Sequence, residues 1–470
     1  MEQSGFIVGI DLGTSKIVGL LGRKNEQGVI SILASESIPS DNCVKHGVVY
    51  NIDEAAGKIK KLVNLLENKS GRKIGKIYVS VAGKSLRAIE YTLTKDLIDE
   101  SEVSFAVIDQ MEQQARQNKP DFLTNYSVVA PEIFLDGHPE DDPIGKTATL
   151  VEGRYRLIVG RPNIKSNLIK CITEKNQLDI AGFIVGPVAA GAIVLDETDK
   201  QAGCALIDFG AGTTTLSIYK EGLLRYMAVI PFGGRTISKD VKELGFIDTA
   251  AESYKIKYGR VGKDKNKQVT SSSNSEVDVK EMNKVIQLRE EEIILNILNQ
   301  IKESGYAGKL DAGIIIVGGA SQLTGLPEFL EEKAQMPVKK GAAKRLYINN
   351  AADLLQNPAY AQCLGLLLFA NENCEKVEAP KVDYVNRPRP LDSAQSGSYS
   401  EATERNQNSS AHHEQPPVDN DDDEEYEDEE PEYEERPRKV KKVKDKKSPG
   451  LFDFFGKIQN LGGTMFKDED

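Results

Sequence analysis

The sequence has no tryptophan, four histidines and five cysteines in 470 residues. Two of the histidines, His412 and His413, sit together in a polar stretch, so no zinc site is expected. Cys43, Cys171, Cys204, Cys363 and Cys374 are odd in number and scattered. No two have the spacing of a metal knuckle or a redox pair, and reduced thiols in a cytosol are expected. The longest apolar stretch, Gly182 to Leu195, is broken by Gly and Pro. It falls short of the ~20 residues that a membrane span needs. Met1–Gly5 lacks the basic start of a secretory signal, so a cytoplasmic protein is expected unless something ties it to a surface. Aromatic residues make up 6% and apolar residues 39%, below the globular norm, so part of the chain is expected not to pack. Acids outnumber bases, 72 to 60, for a net charge of −12. That excludes a uniformly basic nucleic-acid binder, and no nucleic-acid partner is expected.

The charge is concentrated. Residues 419–435 hold thirteen acids and no base, and residues 436–447 hold eight bases and one acid. Upstream, strand and helix signals alternate, which points to an α/β architecture. Phe6–Ile10 and Ile17–Leu21 are short apolar runs around a Gly/Thr/Ser turn, the pattern of a β-hairpin. Apolar residues recur at helical spacing over 53–67, and Ile77–Val81 reads as another strand. Cys204–Asp208, its turn and Leu216–Tyr219 repeat the hairpin device 197 residues later. That repeat suggests two similar halves, each giving one turn to a shared cleft. Ile314–Val317 reads as a buried strand ending in Gly318-Gly319-Ala320, with a helix over Leu326–Lys333 behind Pro327. Residues 263–278 are polar and read as a loop. From about Asn373 apolar periodicity is lost, so 373–447 is expected to be a disordered linker.

The two hairpin turns carry chemistry. Asp11-Leu12-Gly13-Thr14-Ser15-Lys16 places an acid at a strand end, then a glycine, then hydroxyls. Glycine lets the backbone approach a phosphate, successive N–H groups form an anion nest, and the hydroxyls add donors. The acid would be repelled by phosphate, so its expected task is to hold Mg²⁺ through water. Asp208-Phe209-Gly210-Ala211-Gly212-Thr213-Thr214 repeats this set. Either turn alone is also an ordinary hairpin; the two together, followed by Gly318-Gly319-Ala320, are a stronger signal. Ala251-Glu252-Ser253-Tyr254-Lys255 reads on its own as a surface helix with an i,i+3 ion pair. No Ser/His/Asp or Cys/His arrangement suggests other covalent chemistry.

Order and spacing resemble the two phosphate segments and the adenosine segment of the actin, heat-shock chaperone and sugar-kinase superfamily. The stretches Tyr78–Gly83, Asp142–Gly145, Leu150–Gly160, Pro231–Asp240 and Asn357–Leu366 resemble the bacterial cell-division FtsA family in particular, over roughly residues 5–371. The resemblance implies an α/β, actin-like (ribonuclease H-like) two-lobed ATP-binding fold with an inserted small α/β subdomain. Residues 1–83 and 166–196 would form the first lobe, 84–165 the insert, and 197–372 the second lobe, with a small subdomain at about 236–310. It implies ATP and Mg²⁺ in the cleft. Asp11, Gly13, Thr14, Ser15, Lys16, Asp208, Gly210, Ala211, Gly212, Thr213, Thr214, Gly233, Gly234, Glu252, Lys255, Gly318, Gly319, Ala320 and Gln322 would line the nucleotide, with Asp11 and Asp208 organising the metal. It further implies self-association, docking of the FtsZ C-terminal peptide on 236–310, and recruitment of later division proteins at the cell membrane. In the chaperone branch an acid that positions the attacking water stands just before a Pro; here that place is Gly186, before Pro187. Binding is therefore better supported than hydrolysis. The rival readings are a small-molecule kinase and a heat-shock-type ATPase of the same superfamily.

The tail, 448–470, has its own pattern. Leu451, Phe454, Phe455, Ile458 and Met465 fall on one helical face, flanked by Phe452, Leu461 and Phe466. A helix over 451–466 would be ~24 Å long, too short to span a bilayer but able to lie in its interface. Six or so large side chains offer at most ~9–18 kcal/mol on burial. Ordering sixteen residues at ~1–2 kcal/mol each removes most of it. A single anchor is then weak, and Lys444, Lys446 and Lys447 beside it would add ~1 kcal/mol each on anionic lipid. Polymerisation would multiply such anchors.

Overall fold

A computed structural model of the protein describes residues 6–97, 101–262 and 278–376. The expected polar loop lies outside the described residues apart from Asp278. So do the linker beyond residue 376 and the tail, with every candidate membrane residue from Leu451 to Phe466 and with Lys444, Lys446 and Lys447. Among the described residues, no helix is long and apolar enough to cross a membrane.

Both sequence-predicted hairpins form. Phe6–Leu12 pairs antiparallel with Lys16–Lys24, which pairs with Ile30–Pro39. On the other side of Phe6–Leu12 lie Lys76–Val81 and then Asp179–Val185, both parallel. The second sheet repeats this plan. Cys204–Phe209, Thr214–Lys220 and Leu223–Ile230 form the antiparallel meander, while Ile314–Val317 and Val338–Lys340 add the parallel side. In each sheet the first strand is buried on both faces, which is why it reads as an unbroken apolar run rather than an alternation. The expectation of two similar halves is met.

The helix predicted over 53–67 runs from Ile52 to Ser70. Asn51 caps it, its side chain accepting from the Glu54 amide at 3.1 Å, and Gly71 ends it at φ 67°. An Asn at the N-cap and a left-handed glycine past the end satisfy backbone groups that the helix itself cannot. Ala55, Ile59, Leu62 and Leu66 turn inward against the first sheet.

A third sheet holds Arg87–Asp96, Leu150–Gly160 and Thr124–Leu135, with helix Phe105–Gln117 packed on it. It lies within the segment expected as the insert and has its own core, centred on Tyr155, Met111 and Val151. The segment expected as a small subdomain at 236–310 gives helices Gly234–Lys242, Asp248–Tyr258 and Val279–Glu303. Among the described residues they share one core with the second sheet rather than enclosing a separate one.

The chain then returns to the first core. Ala343, Ile348, Leu355, Leu364 and Leu367 are buried with the first sheet, although the resemblance attached residues up to 372 to the second lobe. The expected start of the linker at 373 is also too early. Cys374 is fully buried, its amide bonds the Phe6 carbonyl at 2.6 Å, and its carbonyl accepts from Gly75 at 2.9 Å. Residues 373–376 close the edge of the body because short backbone pairing needs no apolar periodicity.

Candidate functional site

The two hairpin turns are built alike. Gly13 donates its amide to the Lys16 carbonyl at 3.0 Å, and Gly210 donates to the Thr213 carbonyl at 2.9 Å. A side chain at either glycine would press on the carbonyl it bonds, at 2.8 Å and 2.7 Å. Each turn therefore presents two residues, Thr14-Ser15 and Ala211-Gly212, between paired strand ends. The turns meet across the cleft: a Cβ on Gly212 would stand 2.6 Å from Thr14 Oγ1.

The two acids come together beneath these turns. The Ser80 hydroxyl donates to Asp11 Oδ1 and accepts from the Leu12 amide at 3.4 Å. Gln362 Nε2 donates to Asp208 Oδ2 at 2.8 Å. Burial pushes the Asp208 carboxyl up to about 6, the nearby Asp11 charge adds to this, and the Gln362 hydrogen bond opposes it. Desolvation also raises Asp11, against the Ser80 hydrogen bond and the Lys16 charge. Two carboxylates with hydroxyls around them, and no thiolate or imidazole in the set, fit a hard cation such as Mg²⁺ held through water.

Around this centre the remaining predicted residues divide. Lys16 lies 4.1 Å from the centroid of the Tyr360 ring. Gly233 is pressed against the second turn, where a Cβ would sit 2.6 Å from the Gly210 carbonyl. The Gly234 and Arg235 amides donate to the Gly210 and Ala211 carbonyls at 3.0 and 2.7 Å. Lys255 donates to the Gly234 carbonyl, the Ser238 hydroxyl and Glu252 Oε2 at 2.7, 2.7 and 2.8 Å. Glu252 and Lys255 therefore lie beside the second turn on helix Asp248–Tyr258 and hold each other. Gly318 has φ 91°, and a Cβ there would overlap Asp208 Oδ1 and the Phe209 carbonyl, so only glycine fits. Ala320 comes within 3.1 Å of the Cβ position on Gly234, which brings the Gly318–Gln322 segment to the same place. Thr214 is the exception. It is buried in its strand, and its hydroxyl donates to the Phe232 carbonyl at 2.9 Å, so it is turned from the cleft.

Several site residues escaped the sequence reading. Ser80 is the one aliphatic hydroxyl in the buried part of Lys76–Val81, and Gln362 is the one amide side chain in helix Ala361–Phe369. A polar residue inside an apolar element was the available signal. A strap over residues 40–47 was also missed. Ser40 Oγ donates to the Gly13 carbonyl at 2.6 Å and the Gly47 amide donates to Thr14 Oγ1 at 3.1 Å. From the same strap His46 Nδ1 reaches the Gly212 carbonyl at 2.8 Å.

Two sheets of one topology, each sending a matching acid-bearing turn into one cleft, define an actin-like two-lobed α/β protein. Residues 205–365 match the family model described as Cell division protein FtsA. The chain is 31% identical over 378 residues to the cell division protein FtsA of Neisseria meningitidis serogroup B, across 78% of this chain and 90% of that one. It is 29% identical over 376 residues to the FtsA of Porphyromonas gingivalis, across 78% of each. Among solved structures, the PilM-PilN type IV pilus biogenesis complex matches with a TM-score of 0.56 at 16% identity, over 77% of this chain and 98% of that one; this likeness is one of fold alone. The chain belongs to the FtsA family of cell-division proteins.

Proposed function

We propose that the cleft binds ATP with Mg²⁺ and that the chain anchors FtsZ filaments to the cytoplasmic face of the cell membrane at the division site. The observation that carries the nucleotide reading is the convergence of Asp11 and Asp208, one from each sheet, below two turns of the same construction. Amides and hydroxyls of Thr14, Ser15, Ala211, Gly212 and Thr213 would hold phosphate oxygens, with Gly13 and Gly210 shaping the turns. Asp11 and Asp208 would hold Mg²⁺, which supplies the positive charge that lets two carboxylates and a polyphosphate share one site. Lys16 would add charge at the first turn. Glu252 and Lys255 would face the ribose or base, and Gly318–Gln322 would line the adenosine. Family membership favours this over the kinase and chaperone readings.

The tethering half rests on the family and on the sequence of the tail. Residues 236–310 would dock the FtsZ C-terminal peptide, the amphipathic segment 451–466 would lie in anionic lipid, and self-association would sum weak anchors. Later division proteins would join the assembly. The test is recruitment of FtsZ filaments to anionic liposomes with Mg-ATP, comparing the full chain with one ending at Ser448. Recruitment that disappears on truncation is expected. If both chains bind FtsZ and neither binds lipid, the tail is not an anchor. If neither binds FtsZ, the tether reading is wrong.

A further inference from the structure

Resting on the nucleotide reading above, we propose that Gln362 is a positioning residue for the metal-holding acid of the second lobe, and that Gly186 is small because this amide occupies the space a side chain there would fill. Asp208 is 8% exposed and, among the described residues, receives one side-chain hydrogen bond, from Gln362 Nε2 at 2.8 Å. A carboxylate held at one oxygen loses rotational freedom about its terminal torsion, which is otherwise broad. The hold is charge-assisted, the stronger class of hydrogen bond.

The amide is itself fixed by a close crossing of two helices, Gly186–Val194 and Ala361–Phe369. A Cβ on Gly365 would overlap the Ala189 carbonyl, so these backbones touch. Residues three apart on a helix share a face. One turn back on both helices, Gln362 therefore stands over Gly186, and a Cβ on Gly186 would overlap Gln362 Oε1 and come within 2.9 Å of its Cδ. Residues 186 and 362 thus compete for one volume at the edge of the cleft, and in this chain the long side chain comes from 362. The first acid has a matching support, since Ser80 from the neighbouring strand holds Asp11.

The test is calorimetric binding of ATP to the full chain in Mg²⁺ and in EDTA, for wild type, Gln362→Met, Gln362→Ala, Gly186→Ala and the Gly186→Ala/Gln362→Ala pair. Methionine keeps the length and loses the donor; the methyl of Gly186→Ala displaces the amide without altering it. Wild type is expected to bind more tightly with Mg²⁺. Gln362→Met and Gly186→Ala are each expected to lose about tenfold or more of that gain, with affinity in EDTA held within about twofold, which also reports a folded site. Adding Gly186→Ala to Gln362→Ala is expected to change nothing further, because no amide remains to displace. A full Mg²⁺ gain in Gln362→Met, or a silent Gly186→Ala beside an intact Gln362, overturns the proposal while leaving the nucleotide reading intact. If wild type binds no ATP in either buffer, the nucleotide reading fails and this proposal falls with it.

Discussion

Glu290 is the residue whose placement most conflicts with its chemistry. It is 2% exposed on the inner face of helix Val279–Glu303, among Ile286, Ile293 and Ile294. Its Oε1 has no hydrogen-bond partner among the described residues. Burial pushes its carboxyl from the ordinary 4.5 up to about 8, with only the Lys255 charge opposing. A raised carboxyl binds its proton more tightly in the folded chain, so this residue costs no stability below pH 4.5 and increasingly more as pH rises towards 8. Glu290→Gln removes that cost. The substitution is expected to leave stability near pH 4.5 almost unchanged and to stabilise the chain at pH 8–9 by up to a few kcal/mol, read as a shift in denaturation midpoint at the two pH values. An unchanged difference between them would show that Glu290 is not the proton-binding group. The five buried thiols behave alike: burial pushes Cys171 and Cys204 up to about 12 and Cys374 to about 11. Such thiols are poor nucleophiles at neutral pH.

Turns, helices and the strap set the geometry of the cleft. The turns were legible because an acid, a glycine and hydroxyls follow an apolar strand twice. The strap was not, because Ser40, His46 and Gly47 act through their partners on the turns rather than through a local pattern. His46 has a left-handed backbone at φ 46° and bonds the Gly212 carbonyl, and Arg235 Nη1 donates to Asn42 Oδ1 at 2.9 Å. These contacts tie the strap to the second turn and to helix Gly234–Lys242, two of the second-lobe elements that border the cleft. His46→Ala removes one tie. ATP release, followed by stopped-flow with a fluorescent analogue, is expected to quicken roughly three- to tenfold, the range for one net hydrogen bond. Unchanged release would mean that the strap does not gate the cleft. Helix Ala361–Phe369 teaches the complementary lesson: apart from Gln362 it is apolar all round, so its sequence says that it is buried but not against which sheet.

At the scale of the molecule, the insert is fastened to the second lobe by a buried cation. The Arg225 side chain is 6% exposed, pairs with Glu132 of the insert sheet, and pairs with Glu221 at 2.6 Å. Arg156 of the insert donates back to the Arg225 carbonyl at 3.3 Å and pairs with Glu90 at 2.9 Å. The Arg225 hydrogen bond holds the Glu132 carboxyl below its usual range. Arg225→Ala leaves Glu132 without this partner. The expected cost is about 2 kcal/mol, less than for a fully enclosed pair because Glu221 is largely exposed. Limited proteolysis should then cut first within 84–165. Loss of stability without earlier cleavage there would mean that Arg225 supports only its own lobe.

The sequence by itself determined the strands that carry the two acid-bearing turns, those turns, the family and the pattern of the tail, because each is written in residues close together along the chain. Ser80 and Gln362 were visible as polar residues in apolar elements, but not their partners. Only the tertiary structure decided that Asp11 and Asp208 share one centre, that Gln362 stands where Gly186 leaves room, that Thr214 turns away, and that residues 343–376 return to the first core. The physical reason is common to all four. Apolar segments specify burial without specifying a partner, and a hydrogen bond between residues 154 positions apart, as between Asp208 and Gln362, exists only once packing has brought both to the same place.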